Sequence, residues 1–186
     1  MKKTMYLKRR VSQLIIAAFI SLFVFMPKYS FGENINQVSS FVKTPQELSL
    51  WLLNEFEYVR EIKDSWQKAP ELLASRKGDC EDFAILSQEL LKAMGIKSHI
   101  LIIKFKGLNQ SHAVCIWEQN GRFSFISNQR LIQTDKTSLI DVIEAHYSDW
   151  EQLIFTNANK QFTTIVTNGI NNTALEQKIS VALGNR

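Results

Sequence analysis

Cysteine and histidine are scarce in this chain, with two and three among 186 residues. Two cysteines allow one disulfide at most and exclude a scaffold held together by several. The longest apolar stretch, Val11 to Met26, has 16 residues and contains Ser12, Gln13 and Ser21. That is short for a membrane span. There is no internal repeat and no low-complexity tract. Acid is absent from the first 32 residues, which hold six Lys/Arg.

That leading segment reads as a secretory signal peptide. Lys2, Lys3, Lys8, Arg9 and Arg10 precede the apolar stretch, and Ser30-Phe31-Gly32 is a small-x-small site, with cleavage expected after Gly32. The rival reading is an uncleaved anchor, which would be the protein's one link to a membrane. The chain is expected to be exported, periplasmic or secreted. The net charge of +4 belongs to the leader, since the remainder has 16 basic and 18 acidic side chains. No nucleic-acid footprint remains.

The chain beyond the leader reads as one domain of the α+β class, helices first and then an antiparallel sheet. Residues 33–65 form an N-terminal helical segment, residues 66–167 the core, and residues 168–186 a polar tail with a weak helix near Ala174 to Leu183. Thr44-Pro45-Gln46-Glu47 has the residues of a capped helix start. Asp79 to Met94 is the clearest helix, with Phe83, Leu86, Leu90, Leu91 and Met94 on its buried face and Gly95 ending it. Lys97 to Lys106 and His112 to Glu118 read as strands. Asn120-Gly121 signals a hairpin returning through Phe123 to Ser127. Thr137 to His146 reads as a helix, and Leu153 to Thr156 with Phe162 to Thr167 as a last strand pair.

Cys80 falls on the first turn of the Asp79 helix, after a Gly-Asp turn. The free amides of a helix N-terminus favour a thiolate, and such positions lower a thiol from ~8.5 to ~3.5–7.5. Asp79, Glu81 and Asp82 oppose this through like charge. His112 opens a strand that can lie beside that helix. His99 sits in an apolar strand as a packed residue, and His146 ends a helix where a cation suits the dipole. His112 and Cys115 are three apart and face opposite sides of an ideal strand. If His112 faces Cys80, Cys115 faces away, so no Cys80–Cys115 disulfide is expected. Cys115 reads as a small core residue.

Lys77-Gly78-Asp79-Cys80-Glu81-Asp82-Phe83-Ala84-Ile85, Leu91 to Ile96, and Ser111-His112-Ala113-Val114 resemble the bacterial transglutaminase-like superfamily. They are similar to its transglutaminase-like cysteine peptidases. Trp66-Gln67-Lys68-Ala69-Pro70-Glu71-Leu72-Leu73 fits the lead-in before the Gly-Asp-Cys turn, and the resemblance covers Trp66 to Ile132. It implies a papain-like core with the nucleophile-bearing helix on a small antiparallel sheet. Cys80 matches the nucleophile and His112 the base. A third residue, usually Asp and sometimes Asn, should orient the imidazole.

Here the chain departs from the family pattern. Phe125-Ile126-Ser127-Asn128-Gln129 puts Ser127 where Asp is expected. A two-residue Asn120-Gly121 turn pairs Val114 with Ser127 and His112 with Gln129. Ser127 and Gln129 then share the face of His112, and a bulge would be needed to bring Asn128 round. The candidate catalytic set is therefore Cys80, His112, Ser127 and Asn128. No cofactor is required. Calcium at Asp79, Glu81 and Asp82 is the one alternative, since some related peptidases use it there, against a plain capping role for the acids. Gln67 is a candidate oxyanion donor, and Trp66 is expected to pack.

Two functions fit these residues. One is an exported cysteine peptidase or amidase acting on a protein or peptide through an acyl-enzyme, with water or an amine as acceptor. The other is a transglutaminase-like domain whose catalysis has weakened or gone, kept as a binding or scaffold module of the envelope. A docking role for the polar tail is a third possibility.

Overall fold

The computed structural model describes residues 33–60, 65–156, 161–169 and 172–184. The expected signal peptide lies outside these residues. Helices α1 (Ile35–Phe41) and α2 (Pro45–Glu55) lead to a two-residue strand β1 (Glu57–Tyr58). Helix α3 (Ala69–Ser75), strand β2 (Lys77–Gly78) and helix α4 (Cys80–Ala93) come next. Then come β3 (His99–Phe105), β4 (Ser111–Gln119), β5 (Arg122–Ser127), β6 (Arg130–Gln133), α5 (Leu139–His146), β7 (Trp150–Thr156), β8 (Phe162–Thr167) and α6 (Asn172–Leu183).

Local chemistry accounts for the elements that carry the site. Thr44 caps α2, with Glu47 N–H donating to Thr44 Oγ1 at 3.2 Å and Thr44 N–H donating back to Glu47 Oε2 at 3.2 Å. Asn120 and Gly121, with φ of 54° and 72°, turn β4 into β5. Both central residues of such a hairpin turn need positive φ, which Asn and Gly tolerate best. The register that results pairs Gln119 with Arg122 and Val114 with Ser127, without a break.

Strands β3 to β8 form one antiparallel sheet in the order β6-β5-β4-β3-β7-β8. Side chains alternate across it. Ile100, Ile102, Ala113, Cys115, Trp117 and Ile126 join a core cluster with α1 to α4, centred on Phe83, Leu86, Leu90 and Leu91. Leu101, Ile103, Val114, Ile116 and Phe125 join a second cluster with α5 and α6. Helices therefore cover both faces of the sheet. The fold is α+β, with the Cys80 helix packed on an antiparallel sheet.

The helix expected near Ala174 to Leu183 is present as α6, and it packs into the core rather than trailing as a tail. Helix α6 buries Ile179 and Leu183 in the second cluster, and Lys97 Nζ donates to the Leu183 carbonyl at 2.5 Å. Ile179 and Leu183, four apart, fall on one face of the helix, while Val181 is exposed.

Candidate active site

Gly78 makes the entry to α4 possible. A Cβ there would come within 2.6 Å of Asp82 Oδ2 and 2.8 Å of Leu72 Cδ1. The requirement is therefore one of space. Asp82, fully buried, fills that space with its carboxylate. It accepts from Gln67 N–H at 2.7 Å, Gln67 Nε2 at 2.9 Å and Asp79 N–H at 3.1 Å. Burial pushes its carboxyl upward and these donors pull it back. Gln67 Nε2 also donates to the Lys77 carbonyl at 2.9 Å, and its Oε1 accepts from Ser75 at 2.9 Å. The oxyanion-donor expectation for Gln67 is corrected here: its amide ties the Gly-Asp-Cys turn to the preceding helix. Trp66 packs against the first core cluster.

Cys80 is the first residue of α4 and is buried. Its thiol donates to Glu81 Oε2 at 3.0 Å. Burial first, then that bond and the charges of Glu81 and Asp79, push the thiol up to about 12, while a backbone bond to Ala113 works the other way. This reverses the expectation of a thiol lowered by the helix N-terminus. The amides favour a thiolate, but removal from water and an adjacent carboxylate outweigh them.

His112, half-buried, is the second residue of β4. Its Nε2 lies 2.8 Å from Ser127 Oγ. Val114 pairs with Ser127, so His112 is the diagonal neighbour of Ser127 on the same face. Burial lowers the His112 pKa, which keeps the ring neutral at pH 7. The Tyr147 ring lies 5.7 Å from that of His112, and its hydroxyl donates to Ser127 Oγ at 3.3 Å.

Asn128 does not join them. It occupies the left-handed region at φ 52° in the two-residue turn between β5 and β6, and its buried Oδ1 has no hydrogen-bond partner among the described residues. With no bulge between β4 and β5, nothing rotates it toward His112. Gln129 also departs from expectation. Its Nε2 donates to the carbonyls of Leu52 and Phe56 at 2.8 and 2.7 Å, and its carbonyl accepts from Ser49 Oγ at 2.8 Å. It therefore holds the end of α2 to the sheet.

Both cysteines are free thiols, in line with the expected absence of a disulfide, but the parity argument for it fails. Cys115 shares the α4-covered core cluster with Cys80, whereas Val114, with the parity of His112, belongs to the opposite face. His112 and Cys80 line the same cleft because each stands at the head of its element, β4 and α4. Both open into a cleft of about 690 Å³ lined as well by Tyr58, Arg60, Glu81 and Phe105.

The calcium reading meets a similar limit. Donor atoms of Asp79, Cys80 and Glu81 lie within 4.8 Å of one another. Asp82 already spends its carboxylate on N–H donors. Two carboxylates beside a thiol do not fit an ion that takes about six to eight oxygens, so no step is assigned to it.

Tyr147 was missed by sequence reasoning. It lies 20 residues beyond Ser127, after a helix, and no motif marks it.

Among proteins of curated function, none matches this chain. Among solved structures, calcium-bound LapG from Legionella pneumophila is similar at 20% identity and a TM-score of 0.47, over 77% of this chain and 86% of that one. EGTA-treated LapG from the same organism gives 19% and 0.46, over 77% and 84%. A candidate cysteine protease from Cytophaga hutchinsonii gives 18% and 0.44, over 78% of this chain and 53% of that one. Residues 30–123 match the family model of the Transglutaminase-like superfamily, a span that includes Cys80 and His112 and stops short of Ser127. The chain belongs to the transglutaminase-like superfamily.

Proposed function

We propose that this protein is an exported cysteine hydrolase of the peptidase or amidase type, with Cys80 as nucleophile and His112 as base. The observation that carries this reading is their arrangement. Cys80 at the head of α4 and His112 at the head of β4 open into one cleft, and His112 Nε2 is held by Ser127. The nitrogen left for the sulfur is Nδ1. The thiol hydrogen passes to it as sulfur attacks an amide carbonyl. The imidazolium then returns that proton to the leaving amine, and water resolves the acyl-enzyme. Ser127 orients the ring, and Asn128 has no part. A polypeptide is the proposed substrate, and neither nucleic acid nor a cofactor is required. If so, a chelator should leave the melting temperature and Cys80 reactivity unchanged. A drop in either would return Asp79 and Glu81 to the role of calcium ligands.

The second reading, a binding module without turnover, is favoured by the thiol held near pH 12 and by a neutral Ser127 in place of a carboxylate. The deciding experiment is iodoacetamide labelling of Cys80 across pH, beside His112→Ala. Labelling at pH 7 that collapses in the mutant supports the enzyme. Labelling that simply climbs toward pH 12 in both proteins removes it.

A further inference from the structure

We propose that Tyr147 is a positioning residue of this site: acting through Ser127, it sets which nitrogen of His112 carries the hydrogen. The inference rests on the Cys80–His112 reading and concerns how that pair is regulated.

Tyr147 is held firmly in place. It ends α5, with its N–H donating to the Ile143 carbonyl at 2.7 Å and its own carbonyl accepting from Trp150 N–H at 3.3 Å. Its ring packs beside His112 at 5.7 Å, Phe125 at 6.1 Å and Phe105 at 6.3 Å. The hydroxyl donates to Ser127 Oγ at 3.3 Å, and Ser127 Oγ lies 2.8 Å from His112 Nε2.

A serine hydroxyl has one hydrogen to give. Among the described residues the Ser127 hydroxyl meets only Tyr147 and His112 Nε2, so with Tyr147 donating to its oxygen the one protein acceptor left for that hydrogen is His112 Nε2. Nε2 then accepts, and neutral His112 carries its hydrogen on Nδ1. A carboxylate at position 127 could only accept, and would hold the hydrogen on Nε2. This chain has the opposite polarity. Its resting base presents N–H to the sulfur where catalysis needs a lone pair.

The working state needs the hydroxyls to turn. Nε2–H then donates to Ser127 Oγ, the Ser127 hydrogen turns to the Tyr147 oxygen, and the Tyr147 hydrogen turns away. The ring exchanges its Nδ1 hydrogen for one on Nε2 through solvent, and no net proton is gained or lost. Nδ1 can then take the thiol hydrogen. Tyr147 thus holds the site in its off tautomer.

The test is ¹⁵N NMR of the His112 ring in the wild type, Tyr147→Phe and Ser127→Asp, with His99 as internal control. Tyr147→Phe keeps the ring contacts and removes only the donor. The wild type should show Nδ1–H. Tyr147→Phe should move the tautomer ratio toward Nε2–H by about fivefold, the equivalent of one neutral hydrogen bond. Ser127→Asp should complete the reversal. A wild-type ring already protonated on Nε2, or a Tyr147→Phe ring with the wild-type signature, overturns the proposal. Because the readout needs no turnover, the two readings fail separately. An inert Cys80 with the tautomer shift intact removes the enzyme, and a reactive Cys80 without the shift removes the relay.

Discussion

At the scale of single residues, the chemistry turns on two substituents, Glu81 beside the thiol and Ser127 beside the imidazole. Glu81 accepts the Cys80 hydrogen at 3.0 Å and helps hold the thiol near 12. Glu81→Gln removes the charge and weakens the acceptor. Cys80 labelling at pH 8 should rise about tenfold for each pKa unit recovered. An unchanged rate would assign the high value to burial alone. The sign for stability comes from the same shift. The fold favours the protonated thiol, so that contribution is complete below the ordinary thiol pKa of ~8.5 and fades as pH climbs toward the folded value. Ser127→Asp acts at the other end of the pair. A carboxylate there favours imidazolium, so the His112 pKa should rise by about one unit or more, as read by NMR titration. A value that stays low would show that burial overrides the added charge. Cys80, His112 and the place of Ser127 are legible in the sequence because a helix start and a hairpin register fix them locally. Tyr147 is not, because its hydroxyl reaches Ser127 only once α5 has packed on the far face of the sheet.

At the scale of elements, the Gly-Asp-Cys turn is a packing device before it is a catalytic one. Gly78 leaves room for the Asp82 carboxylate, which satisfies Gln67 and Asp79 and so fixes where α4 begins. Gly78→Ala should cost about 1–3 kcal/mol of stability through overpacking, measured by denaturant unfolding. It should displace Cys80 as well, since the added Cβ meets the Asp82 side chain that caps α4. A fully stable Gly78→Ala protein would mean that α4 shifts without cost. The capping residues and the helix were readable from sequence. The use of Gln67 was not, since an amide near a cysteine reads equally as an oxyanion donor or as a brace, and the deciding contacts with Lys77 and Ser75 are tertiary. Gln129 illustrates the same limit. Strand alternation put it on the His112 face, but a two-residue turn after Ser127 takes it out of the strand and onto the end of α2.

At the scale of the whole described domain, the sheet order places β4 next to the centre, with helices from the two ends of the chain on opposite faces. The α+β class and most strands come from alternation and turn residues. The short strand β6 was not foreseen, because four residues after an Asn-Gln turn carry too little pattern. The C-terminal segment reads as polar with a weak helix, and its composition hides the two residues that matter. Ile179 and Leu183 are nearly fully buried against the second core cluster. A docking tail could be removed without harm to the fold, whereas a packed helix could not. Truncation after Thr167 should therefore lower stability by about 3–6 kcal/mol, the burial worth of two large aliphatic side chains. It should also open the second core cluster, against which Tyr147 packs. Thermal unfolding of the shortened chain tests this directly. An unchanged melting temperature would free α6 from the fold and restore docking as its role. A large drop, with Cys80 reactivity altered alongside it, would show that the last helix supports the site from the opposite side of the sheet.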